Sequence, residues 1–138
     1  WDGKSRVYHH TAPINMLYGF YQALLLIQEE GLEPICKRHL AAHRRLVAGL
    51  EALDLEMLVA PDHRLPMLNA VKVPAGVDEA AVRSDLRKTH NIEIGAGLGP
   101  LAGKIWRIGL MGHTAREQNV DRFLTALDTV LTTAKKGK

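Results

Sequence analysis

Hydrophobic periodicity changes character partway along this chain, and the order of the change limits the folds open to it. From Pro13, apolar residues recur at Ile14, Leu17, Tyr18, Tyr21, Leu24 and Leu25 and the pattern runs to Gln28, close to the helical repeat. Pro13 suits the opening of a helix and Gly31 its end. A second helix is predicted from Glu33 to Ala52, with Ile35, Ala42, Leu46, Leu50 and Leu53 along one stripe. The short join predicts an αα-hairpin or a sharp bend. Beyond it the period falls to two. Leu55–Val59 and Leu65–Val73 read as strands, the second closed by Pro74-Ala75-Gly76.

The remaining elements alternate less regularly. Asp78 is a suitable N-cap for a helix through Ala81, Val82, Leu86 and Thr89. Asn91–Ile94 reads as a short strand and Gly95–Pro100 as a loop. Lys104–Met111 is the clearest strand. Thr114-Ala115-Arg116-Glu117 has the spacing of a capping box, and a last helix follows with Val120, Phe123, Leu124, Leu127, Val130 and Leu131 on one face. The order α-α-β-β-α-β-β-α does not suit a doubly wound parallel sheet. It predicts an α+β two-layer sandwich, a small mostly antiparallel sheet with helices on one face, preceded by a long helix.

Composition narrows the partners. Of 138 residues, 46% are hydrophobic, enough for a real core. The net charge of +3 owes much to Lys135, Lys136 and Lys138, read as a disordered basic tail over 135–138. Aromatics are only 5%, so the basic-aromatic stripe of a nucleic-acid binder is missing and no nucleic-acid partner is expected. No apolar run approaches a membrane span, and no membrane partner is expected. The lone Cys36 lies in a helical pattern and reads as a small buried hydrophobe. Trp1 opens the chain with no targeting pattern behind it, and the C-terminus is no peroxisomal address, so the expectation is cytoplasmic.

Strand Lys104–Met111 carries the most informative residue. Alternation puts Trp106, Ile108 and Leu110 on one face, the core, and Ile105, Arg107 and Gly109 on the other. Arg107 is then either an ordinary solvated arginine on an open sheet face or a carboxylate anchor, since a guanidinium offers paired donors. Gly109 leaves space on that same face. Tyr8-His9-His10-Thr11 precedes the first helix, where two hydroxyls near a helix N-terminus suit a phosphate. The histidines do not make a metal site. His39 and His43 are four apart on a helix, but Leu40 stands where a zinc-peptidase motif needs Glu. The Gly95–Gly103 loop matches no nucleotide-binding pattern and reads as structural.

Taken in order, Tyr8-His9-His10-Thr11-Ala12-Pro13, Gln28-Glu29-Glu30-Gly31-Leu32-Glu33, Arg64-Leu65-Pro66, Ile92-Glu93-Ile94, Gly97-Leu98-Gly99-Pro100, Gly103–Gly112 and Asn119-Val120-Asp121 resemble a known family. They are similar to the C-terminal region of class V pyridoxal-phosphate (PLP) aminotransferases of the alanine–glyoxylate and serine–pyruvate kind. The resemblance implies that Tyr8 and Thr11 reach the phosphate of PLP held by the neighbouring subunit of a homodimer. It implies that Arg107 pairs with the carboxylate of the amino-acid or keto-acid substrate. It implies an interdomain segment and first helix over 1–31 and a C-terminal small domain over 32–134. The family's Schiff-base lysine and the acid that holds the pyridine nitrogen protonated lie upstream of the Tyr-His-His-Thr segment. Lys4 does not match that lysine's setting, and no other lysine does. The resemblance therefore implies a C-terminal part of a transaminase that moves an amino group from alanine or serine to glyoxylate or pyruvate and is inactive by itself. A stand-alone small-carboxylate-binding or dimerisation module without catalysis is the alternative.

Overall fold

A computed structural model describes Gly3 and residues 10–136. The chain divides into two units, residues 1–35 and 36–138. In the first, α1 (Ile14–Glu30) begins directly after Pro13. It ends at Gly31, whose φ of 87° lies where glycine is favoured. None of its residues is buried, although Met16, Leu17, Tyr18, Phe20, Tyr21 and Leu24 are all exposed to a large degree.

Helix α2 (Leu32–Ala52) carries the chain into the second unit. There β1 (Leu68–Lys72), α3 (Glu79–His90), β2 (Gly95–Ala96), β3 (Ile105–Gly109) and α4 (Glu117–Lys136) follow. The described strands form one antiparallel sheet ordered β1-β3-β2, with β3 central. Val71, Trp106, Ile108 and Leu110 from the sheet side pack with Leu46 and Leu50 of α2, Val82 and Leu86 of α3, and Val120, Phe123 and Leu127 of α4. Helices thus line one face of the sheet, as an α+β sandwich requires. Full burial of each such side chain contributes about 1.5–3 kcal/mol. Trp106, completely buried, also donates its indole N–H to the Glu79 carbonyl at 3.3 Å, so burial leaves that donor satisfied.

Several local expectations change. Leu55–Val59 is not a strand. Only Met57 bridges to Val71, with Leu58 N–H on the Ala70 carbonyl and Lys72 N–H on the Glu56 carbonyl. Asp54 at φ 58° and the turn opening at Pro61 leave room for one rung. The strand read as Leu65–Val73 pairs as β1 only from Leu68, because Pro66 has no N–H to give a ladder. Asn91–Ile94 is not a strand either. Asn91 adopts the left-handed conformation and, with Ile92, turns its N–H to Leu86, closing α3. Pairing starts only at Gly95, inside the stretch read as a loop.

Thr114 does not cap the last helix. Its Oγ1 donates to the Met111 carbonyl at 2.8 Å and accepts from the Met111 N–H at 3.0 Å, and α4 starts at Glu117. Helix α4 also includes Lys135 and Lys136, which were expected in a disordered tail. Cys36 is exposed, not buried. The helix of α3 begins as expected, with Asp78 accepting from Ala81 N–H at 3.0 Å. Among the described residues, no helix is long and apolar enough to cross a membrane.

Candidate functional site

Arg107 sits at the middle of the central strand, on the face turned away from the helical core. The register sets Ala70 of β1 on one side of it and Gly95 of β2 on the other. These two small neighbours let a long side chain lie down across the sheet. Arg107 does so: its Nε donates to the Ala96 carbonyl at 2.6 Å. The guanidinium passes over Gly95, where an added Cβ would stand 3.4 Å from both Nε and Nη2. Among the described residues Nη1 and Nη2 have no partner, and no carboxylate pairs with Arg107. The half-buried cation therefore keeps both Nη groups unengaged among the described residues, and paired guanidinium N–H groups are the donors that can grip a carboxylate at both oxygens.

The strand's other face behaves as alternation predicts, since Trp106, Ile108 and Leu110 are all buried. Ile105 shares the Arg107 face yet is only 3% exposed, and it stands apart from the main core. The glycine loop explains this. Gly97 N–H bonds to the Ile105 carbonyl at 3.1 Å. A Cβ at Gly97 would lie 1.9 Å from the Leu101 carbonyl oxygen and 2.9 Å from Ile105 Cγ1. Only glycine lets the Gly97–Leu101 turn close down on Ile105. The loop's glycines are structural here, and the turn borders the arginine.

Apart from Lys72, the rest of the open face is apolar among the described residues. Leu68 pairs across from Gly109, and Met111 follows Gly109 on the same side. Lys72 shares the face and is ion-paired with Glu56. Beyond β3, the turn from Met111 to Ala115 is held from α2. Arg38 Nη1 donates to the Gly112 and Ala115 carbonyls, each at 2.9 Å. His39 Nε2 accepts from the Gly112 N–H at 3.2 Å. His43 is buried and its Nδ1 meets Asn69 Oδ1 at 2.7 Å. Both helical histidines are thus engaged within the fold, and among the described residues no cluster could hold a metal ion.

Thr11 is exposed, two residues before the Pro13 that opens α1. Tyr8 lies outside the described residues. Sequence reading picked out Arg107 but missed what holds it, the Ala96 carbonyl. That partner is a backbone atom, and no residue type announces it. It also missed Asn69, a polar residue in an inward position of β1. The alternation of Asn69 with Ala70 and Val71 was available as a signal.

Residues 1–123 match the family model described as aminotransferase class-V. The alanine–glyoxylate aminotransferase of Drosophila melanogaster is 40% identical over 98% of this chain and 34% of its own length. The (S)-ureidoglycine–glyoxylate transaminase of Bacillus subtilis is 40% identical over 95% of this chain and 31% of its own length. The crystal structure of an alanine–glyoxylate aminotransferase from Nostoc sp. superimposes with a TM-score of 0.85 at 49% identity, covering 94% of this chain and 34% of that one. The chain thus spans about a third of the length of each relative.

Proposed function

The chain belongs to the class-V aminotransferases, and from that membership we propose that it is the C-terminal part of a PLP-dependent transaminase that transfers an amino group from alanine or serine to glyoxylate or pyruvate. The observation that carries the reading is Arg107, a cation on an open sheet face with its two outer N–H groups unpartnered among the described residues. Amino donor and keto acceptor share one feature, a carboxylate beside the reacting carbon. One fixed guanidinium serves both in turn and aligns each without itself exchanging a proton.

The fit to PLP is partial, and this agrees with the chain's share of its relatives. Thr11 has a hydroxyl beside a helix N-terminus, the chemistry that suits the cofactor phosphate. We assign Thr11 that role, together with Tyr8, toward PLP of the neighbouring subunit in a homodimer. Bound PLP supplies the electron sink for the transfer. Lys72, on the face of Arg107, is ion-paired with Glu56, and we assign the Schiff-base lysine to the remainder of the parent. The residues of this chain bind and orient; the covalent step belongs to the remainder of the parent.

Helix α1 supports the same view. Most residues of α1 are apolar, and such a helix surface is one built to be covered, yet no residue of α1 is buried in this chain. The test uses two proteins. The full-length parent is expected to transfer the amino group of alanine to glyoxylate, and this chain supplied with PLP is expected to do so not at all. Borohydride treatment is expected to fix no cofactor on the chain alone. Transfer by the isolated chain, or none by the parent with alanine, serine or related donors, overturns the proposal.

A further inference from the structure

Gly109 is a glycine that the fold of residues 36–138 does not require. Its φ is not positive, so its backbone is open to any residue. A Cβ built on it meets only Met111 Cε, at 3.8 Å, an ordinary contact. Neither dihedral angle nor packing accounts for the missing side chain. Glycine inside a strand weakens it, and close approach of a ligand is a common reason for finding one there.

The surroundings name the ligand. Gly109 follows Arg107 by two residues on one strand, so the two share a face about 7 Å apart. Because Arg107 turns its Nε to Ala96, the guanidinium lies over Gly95 and leaves the space above Gly109 clear. Leu68, across the ladder, and Met111, next along the chain, are both exposed on that face. The vacancy has paired cationic donors at one end and apolar walls beside it.

We propose that Gly109 is a specificity-determining position. Its missing side chain leaves room for the substituent next to the carboxylate of a small monocarboxylate, and Leu68 and Met111 favour hydrogen or a short alkyl group there over a charged one. This deepens the reading of Arg107 as carboxylate anchor and rests on it.

Calorimetric binding of glyoxylate, pyruvate and 2-oxobutyrate to the full-length protein tests the idea, with Gly109→Ala, Gly109→Val and Arg107→Ala compared with the wild type. Gly109→Val is expected to weaken 2-oxobutyrate by about ten-fold or more while glyoxylate changes by about two-fold or less. Gly109→Ala is expected to show a smaller loss in the same order, with a melting temperature at or above that of the wild type. Should Gly109→Val fail to fold, the Gly109→Ala series decides. Equal weakening of all three ligands, or of none, overturns the proposal. Unchanged binding by Arg107→Ala defeats the anchor instead, and the size-dependence at Gly109 is still read from the same series. A wild type that binds none of the three overturns both.

Discussion

The Nε of Arg107 and the carbonyl of Ala96 stand 2.6 Å apart, joining the central strand to the short β2 beside it through a side chain. That bond fixes the plane of the guanidinium. It leaves the two Nη groups as a pre-aligned pair, so little rotamer entropy would be lost in pairing them with a carboxylate.

The arrangement separates charge from geometry. In the full-length protein Arg107→Lys keeps a cation but has no fork to divide between Ala96 and a ligand. Steady-state kinetics are expected to show a KM for amino donor and keto acceptor raised about ten-fold. Arg107→Ala is expected to raise both by about a hundred-fold, the worth of a charge-assisted pair of hydrogen bonds. Equal behaviour of Lys and wild type would mean that charge alone matters.

Asn69 and His43 form the one strongly buried polar pair described between sheet and helix. Asn69 Nδ2 faces the Pro66 and Ile108 carbonyls, each at 3.4 Å, so its Oδ1 is the atom that accepts from His43. Asn69→Ala strands the histidine donor and is expected to cost about 1–3 kcal/mol in urea unfolding of this chain. Adding His43→Leu is expected to recover part of that loss, because an apolar pair leaves no unsatisfied group. Strict additivity of the two changes would refute the coupling.

Arg45 holds Asp121 through two hydrogen bonds, at 2.5 and 2.9 Å, bringing α2 to the first turns of α4. The hydrogen bond from Arg45 lowers the Asp121 pKa below its ordinary value. A lowered carboxylate pKa adds stability that is present above the unfolded value, about 3.9, and lost as pH falls through the folded one. The stability gap between wild type and Asp121→Asn is therefore expected to be constant near neutrality and to close in acid. Because both groups are exposed, added salt is expected to shrink it. A gap that widens in acid contradicts the assignment.

Helix α1 exposes Leu17, Phe20, Tyr21 and Leu24 together. Apolar surface on that scale promotes association. Sedimentation velocity of this chain is expected to show self-association that Leu17→Glu with Leu24→Glu abolishes. A wild-type chain that stays monomeric at high concentration would show that α1 is not sticky.

The helices were legible in the sequence because local periodicity and capping chemistry specify them. Asp78 caps α3 and Gly31 closes α1 where the residue types say they should. Alternation alone also put Trp106 and Ile108 in the core and Arg107 on the opposite face. The short strands were not legible in the same way. Leu55–Val59 has the pattern of a strand but only one rung of a ladder, and Gly95–Ala96 has the look of a loop but pairs with Arg107 and Trp106. Strand identity depends on which backbone lies alongside, and that is a property of the assembled chain.

The same division runs through the site. The sequence by itself determined that residue 107 is an arginine on the outward face of a strand, because side-chain alternation is a local rule. Only the tertiary structure decided that its Nε is turned to a backbone carbonyl eleven residues away in sequence but adjacent in the sheet, and that Leu68 and Met111 flank the space beside it. A carbonyl carries no residue identity, and cross-strand neighbours follow from register, which long-range packing sets.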